Sequence, residues 1–245
     1  MPRLARSCRT TEYQPSSDLN KQGAHIWGAI FDWDGVVIDS SSHHEESWER
    51  LAREIGKPLP EGHFKLGFGR KNEFIIPELL NWSHDPAAIA RLSLRKEALY
   101  RDVVKERGLE PLPGVKEWLQ QLVGAGIPCV VGSSTHRLNI ETSLEIIHLA
   151  GFFADIVSSE DVNHGKPAPD VFLKAAAKIS REPRFCVVFE DAHVGIQAAR
   201  NAGMKVVGVA TTHPLADLGE ADIAVERLDQ LDINRIDAWF DAVPA

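Results

Sequence analysis

The sequence predicts an α/β fold: a Rossmann-like parallel sheet core with helices on both faces and an inserted all-helical segment near its start. Three observations carry this. From Pro113 onward short apolar runs alternate with amphipathic stretches, as in strands buried on both faces and the helices that cover them. Residues 59–108 hold helical patterns and no convincing strand. Polar and charged residues stand at the ends of the apolar runs, where ligands bind in open parallel sheets.

The first strand is the apolar run 26–31. A helix follows over 43–56, with Trp48, Leu51, Ala52 and Ile55 on one face and Glu45, Glu46 and Glu49 turned outward. Gly56-Lys57-Pro58 stops it. Helical patterns then cover 72–80 and 86–107. Val115, Trp118, Leu119 and Leu122 form one face of the next helix, and 127–131 is a buried strand. Beyond it come a helix over 138–150, a short strand at 155–158, a helix over 170–179, a strand at 185–189, a helix over 195–202 and a strand at 205–209. A last strand at 223–225 and a last helix at 233–240 complete the pattern. The expected division is a core of residues 25–42 and 113–245, a helical insertion of residues 43–112, and a disordered polar arm of residues 1–24.

Bulk properties narrow the function. The 245-residue chain has a formal net charge of −8 and no Lys/Arg-rich run, which argues against nucleic acid. It has no apolar stretch of about 18 residues, so no membrane-spanning helix is expected. Cys129 and Cys186 lie in strand-like runs and read as core; with Cys8 far away and no CxxC, neither disulfide nor zinc is expected. Arg3, Arg6 and Arg9 precede no apolar segment, which argues against secretion and leaves an organelle leader open. A cytoplasmic monomer is the expectation.

Four segments carry the candidate chemistry. Asp32 and Asp34 follow the first strand one residue apart and so share a face, with Trp33 turned to the other side for packing. Two carboxylates there are costly unless a cation or a reaction needs them. Gly132-Ser133-Ser134-Thr135 offers hydroxyl and amide groups to a phosphate. Lys166, ahead of Pro167 and Pro169, is a cation on a stiffened loop. Glu190 and Asp191 end a strand and suit a hard cation, Mg²⁺ first. Each segment alone also reads as ordinary: an Asp-Gly hairpin turn, a helix cap, a loop lysine, an acidic turn.

In combination and in this order, these motifs resemble the haloacid dehalogenase superfamily, in the helical-cap branch with beta-phosphoglucomutase and sugar-phosphate phosphatases. The resemblance covers nearly everything from Ile26 onward. It implies that Asp32 is the nucleophile that becomes an aspartyl-phosphate. Asp34 would be the general acid and base, with its backbone carbonyl on Mg²⁺. Ser133 would hold the transferring phosphoryl group with the Ser134 amide, and Lys166 would balance charge. Asp191 would ligate Mg²⁺ with Asp32, and Glu190 would ligate it or hold a metal-bound water. Dehalogenases of the superfamily lack the second acid, so Asp34 favours phosphoryl transfer. The helical insertion would be a mobile cap that selects the substrate.

The same resemblance assigns cap contacts to His44, to Arg70 for a distal phosphate, and to Lys96. It places Thr135 and His136 at the substrate pocket, where His136-Arg137 departs from the family's usual Lys-Asn. The function implied is a Mg²⁺-dependent phosphatase of a small phosphorylated metabolite, first a sugar phosphate. The alternative is a mutase of the beta-phosphoglucomutase kind, interconverting beta-glucose 1-phosphate and glucose 6-phosphate. A receiver-like phospho-sensor fits less well, because receivers have no helical insertion after the first strand.

Overall fold

The computed structural model describes residues 25–67 and 70–240. The expected N-terminal arm lies outside the described residues. Six parallel strands form one sheet: β1 (Gly28–Phe31), β2 (Cys129–Gly132), β3 (Ile156–Val157), β4 (Cys186–Glu190), β5 (Lys205–Val209) and β6 (Ile223–Val225), in the order β3-β2-β1-β4-β5-β6. β1 is central, paired with β2 on one side and β4 on the other. The chain fills one side of β1 and then the other, so the strand order reverses there. That reversal opens a crevice at the carboxyl ends of β1 and its neighbours.

Strand alternation explains the continuous apolar runs. Ala29, Phe31, Val131, Val187, Phe189 and Val207 face one side and pack with Trp118, Leu119 and Leu122 of α5 (Val115–Gly124) and Ile140 of α6 (Arg137–Ile147). Ile30, Val130, Val188 and Val206 face the other side. They pack with Phe172 and Ala175 of α7 (Asp170–Lys178) and Ile196 and Ala199 of α8 (His193–Asn201). Both faces are therefore core, as parallel sheets require. Cys129 and Cys186 are buried within these layers, and Trp33 is fully buried beside Phe153.

Between β1 and β2 the described chain holds no strand before Cys129. It forms α1 (Ser41–Ile55), α2 (His63–Gly67), α3 (Asn72–Phe74) and α4 (Pro86–Arg107), which pack around Trp48, Leu51, Ile76, Leu80, Trp82 and Leu99. The helix expected over 72–80 is instead α3 followed by a π-helical turn, Ile75–Leu79. Pro77 explains the change: it donates no N–H, and its ring crowds the carbonyl four residues back. The turn widens, and the Leu80 N–H reaches back five residues to the Ile75 carbonyl at 2.9 Å.

Other departures are at boundaries. α6 stops at Ile147 because His148 takes a left-handed φ of 57°, and a 3₁₀ turn, Ala150–Phe152, follows where helix was expected. The final helix, α9 (Ile233–Asp237), is shorter than the expected 233–240. Asp34-Gly35 is not a hairpin turn. Gly35, at φ 83°, instead carries the chain through a tight loop closed by its N–H to the Ile38 carbonyl at 2.8 Å.

Candidate active site

Asp32, Glu190, Asp191 and Lys166 converge at the end of the two central strands. The Asp32 N–H continues the β1–β4 ladder to the Phe189 carbonyl at 3.0 Å, which fixes the backbone under the first carboxylate. Lys166 Nζ lies 2.9 Å from Asp32 Oδ1 and 2.5 Å from Glu190 Oε1. Burial pulls the lysine's pKa down, but Asp32 and Glu190 outweigh it and raise the value above the ordinary range. Glu190 Oε2 accepts from the backbone N–H groups of Asp191 at 2.7 Å and Ala192 at 2.8 Å. Asp191 Oδ2 accepts from the Thr212 hydroxyl at 2.6 Å.

The charges do not balance. Three buried carboxylates face one ammonium, and burial, then mutual repulsion, raises both Glu190 and Asp191 above the usual carboxylate range. Oxygens of Asp32, Glu190 and Asp191 lie within 4.8 Å of one another. An all-oxygen donor set with excess negative charge fits a hard divalent cation.

Asp34 has different surroundings. Its Oδ1 accepts from the Ser40 hydroxyl and its Oδ2 from the Thr135 hydroxyl. Burial raises its pKa above the ordinary range even though both hydroxyls work against that. Ser133 is buried; its N–H bonds the Val157 carbonyl at 2.9 Å, and its Oγ accepts from the Thr135 N–H at 3.2 Å. Ser134 is exposed at the turn of this loop. His136 Nδ1 lies 2.9 Å from Glu160 Oε1, and Arg137 reaches Asp161 at 2.7 Å and the Ile156 carbonyl at 2.8 Å. The two rim residues are thus held by acids of the core.

The helical segment supplies a second polar cluster. Lys96 Nζ, on α4, donates to His44 Nδ1 on α1 at 2.6 Å and lies 3.1 Å from Glu97 Oε1. The His44 ring stacks on Tyr100 with centroids 4.1 Å apart. Burial, then the Lys96 charge, lowers the His44 pKa to about 3, so the imidazole is neutral and accepts. Burial also lowers Lys96, against Glu97, and Asp34 lies close enough to act on it. Arg70 stands apart: it is exposed, and its guanidinium lies 4.6 Å from the Phe74 ring centroid. Phe68 and Gly69 of its motif lie outside the described residues.

The chain as a whole can be placed by comparison with known proteins. Residues 29–209 match the family described as haloacid dehalogenase-like hydrolase. The chain belongs to that family. One hydrolase relative is the Arabidopsis thaliana chloroplastic 5-amino-6-(5-phospho-D-ribitylamino)uracil phosphatase, 38% identical over 224 residues. That match covers 90% of this chain and 60% of the relative, so the chain spans less than two thirds of that protein. The fructose-1-phosphate phosphatase of Escherichia coli is 34% identical over 198 residues, covering 74% of this chain and 95% of that one. Among solved structures, a beta-phosphoglucomutase from Clostridium difficile superposes with a TM-score of 0.75 at 25% identity, over 88% of this chain and 97% of that one.

Several residues that shape this candidate site were not singled out from sequence. Ser40 and Thr212 hold Asp34 and Asp191 from distant or irregular segments, and lone hydroxyl residues carry no pattern. Gly35 and Gly195 make room for the acids: an added Cβ would lie 2.0 Å from Asp191 Oδ2 at Gly35 and 1.6 Å from Glu190 Oε1 at Gly195. A glycine directly after Asp34 and another four residues after Asp191 were the available signal. Glu97 carries no sequence signal of its own; its bonds to Asn72 and Asn139 depend on the fold.

Proposed function

We propose that this chain is a Mg²⁺-dependent phosphatase of a small phosphorylated metabolite, a sugar phosphate in the first instance. One observation carries the reading. Two carboxylates one residue apart have opposite surroundings: Asp32 is ion-paired to Lys166, while Asp34 is held by hydroxyls with its pKa raised. Such a pair suits a nucleophile beside a general acid.

In the first step an Asp32 oxygen bonds to phosphorus and the bond to the substrate's leaving oxygen breaks, while Asp34 gives that oxygen its proton. In the second, Asp34 takes a proton from water as the water oxygen bonds to phosphorus. The Asp32–phosphorus bond breaks and inorganic phosphate leaves. Ser133 and the Ser134 amide would hold the phosphoryl oxygens, and Lys166 would balance the negative charge gathered around Asp32. Asp32, Asp191 and the Asp34 carbonyl would hold Mg²⁺, with Glu190 as ligand or support; the ion, when bound, supplies charge neutralisation for the phosphoryl oxygens. Residues 43–112 would act as the cap over a core of residues 25–42 and 113–245, with Arg70, Thr135 and His136 among the substrate contacts.

One observation favours a mutase as the second reading: Lys96 donates to His44 and feels the charge of Asp34, so the pair shares a polar site with Asp34 where an acceptor sugar would stand. A single incubation separates the two. With Mg²⁺, beta-glucose 1-phosphate and a trace of glucose 1,6-bisphosphate, glucose 6-phosphate outpacing free phosphate marks a mutase. Free phosphate from this or other sugar phosphates marks the phosphatase. Neither product from a panel that includes fructose 1-phosphate would count against both.

A further inference from the structure

Glu97 is a buried carboxylate to which the proposed phosphoryl transfer gives no task. It is 6% exposed, and each of its hydrogen-bond partners is a donor. Oε1 accepts from Asn72 Nδ2 at 2.7 Å and from Lys96 Nζ at 3.1 Å. Oε2 accepts from Asn139 Nδ2 at 2.6 Å, and Asn139 is itself 1% exposed. One carboxylate therefore joins α3, α4 and α6. The last of these helices begins directly after the Ser133–Thr135 loop. Burial disfavours the Glu97 charge, yet Lys96, His44 and the two amides hold its pKa at about 2.

We infer that Glu97 is a positioning residue that clamps α4 against α6 and so sets where Lys96 and His44 stand relative to Asp34. The inference rests on the proposal above that Lys96 and His44 face the substrate.

Shape alone does not satisfy this site. Glu97→Gln keeps the outline but places an NH₂ group among donors. At the Oε2 position it meets Asn139 Nδ2; at the Oε1 position it meets Lys96 and Asn72. Asn139 cannot turn over freely, because its Oδ1 accepts from Arg101 Nη1 at 2.7 Å. The loss expected is that of one or two bonds to a charged group, about tenfold or more in kcat/KM. Asn139→Asp in the same protein returns an acceptor opposite the new amide.

The test compares wild type, E97Q, N139A and E97Q/N139D on two substrates. Fructose 1-phosphate needs contacts from the helical segment and a proton for its leaving group. Para-nitrophenyl phosphate makes few such contacts, and its leaving group needs no proton. The expected result is a loss of about tenfold or more in kcat/KM on fructose 1-phosphate for E97Q and N139A. Values on the aryl phosphate stay within about threefold, and E97Q/N139D recovers part of the loss. Equal losses on both substrates, or no loss in folded variants, overturns the inference. If wild type turns over neither substrate, the failure lies in the choice of substrate or in the phosphatase reading and leaves the clamp to a second measurement. Amide hydrogen exchange then decides the clamp: peptides 86–107 and 137–147 exchange faster in E97Q or N139A if it exists, and unchanged exchange in both variants refutes it.

Discussion

Gly195→Ala sets helix propensity against the geometry of Glu190. Gly195 is the third residue of α8, and replacing glycine by alanine within an exposed helix ordinarily stabilises it by about 1 kcal/mol. Here the new Cβ would lie 1.6 Å from Glu190 Oε1 and 2.0 Å from its Cδ. The carboxylate is 1% exposed and tied to Lys166 at 2.5 Å, the Asp191 N–H at 2.7 Å and the Ala192 N–H at 2.8 Å, so it cannot swing aside freely. Hydrogen bonds to charged groups contribute roughly 1.5–3 kcal/mol each, and losing two costs about 3–6 kcal/mol. The clash wins over propensity by about 2–5 kcal/mol. For a chain of this size that lowers the melting temperature by very roughly 5–20 °C. Urea unfolding and phosphate release, measured on the same preparations, give both readouts. Activity falls with stability because Lys166 and the Asp191 backbone both depend on Glu190. Gly124→Ala, where an added Cβ meets nothing within 4 Å, is the matched control and is expected to leave stability unchanged or raised. A Gly195→Ala protein as stable and active as wild type would refute the reasoning, because Glu190 would then not be fixed where it stands.

Further expectations follow from the same geometry. Asp34→Asn lowers kcat/KM on alkyl phosphates by about 10²–10⁴, with a much smaller loss of kcat/KM on para-nitrophenyl phosphate, whose leaving group needs no proton, while kcat falls on both because water attack on the phosphorylated Asp32 needs the same base; steady-state kinetics on the two classes checks this. Glu97 has its pKa held at about 2 in the fold against an ordinary 4.5, so it stabilises the protein above pH 4.5 and loses that contribution as pH falls toward 2. The difference corresponds to about 3 kcal/mol, and wild type should lose more stability than Glu97→Gln between pH 5 and pH 3 in urea titrations. Chelation with EDTA abolishes phosphate release. Mg²⁺ at about a hundred times its dissociation constant restores it and adds about 2.7 kcal/mol of stability, a gain that Asp191→Asn removes.

Much of the fold was legible because its signals are local. The runs 129–132 and 186–189 carry no charged side chain, as strands buried on both faces require, and Trp33 between two acids pointed to packing on the side away from them. The π-helical turn at Ile75–Leu79 escaped because Pro77 can either end a helix or widen it, and only packing chooses. The acids and Lys166 were visible as punctuation at strand ends. Their partners were not: Thr135 reaches Asp34 across about a hundred residues, and Thr212 reaches Asp191 from beyond β5. A hydroxyl that acts through one long-range bond leaves no periodic trace. His136 shows the converse, since it was noticed by position beside the phosphate loop, while its neighbour Glu160 decides where the ring points.

The central claim is that Asp32 carries the phosphoryl group, and trapping that group tests it most directly. Protein mixed with Mg²⁺ and labelled sugar phosphate would be quenched in acid, digested and mapped by mass spectrometry. The account predicts label on the peptide containing Asp32, conversion of that residue by borohydride, and neither label nor turnover in Asp32→Asn. Sustained turnover by Asp32→Asn, or label on another residue, would contradict it.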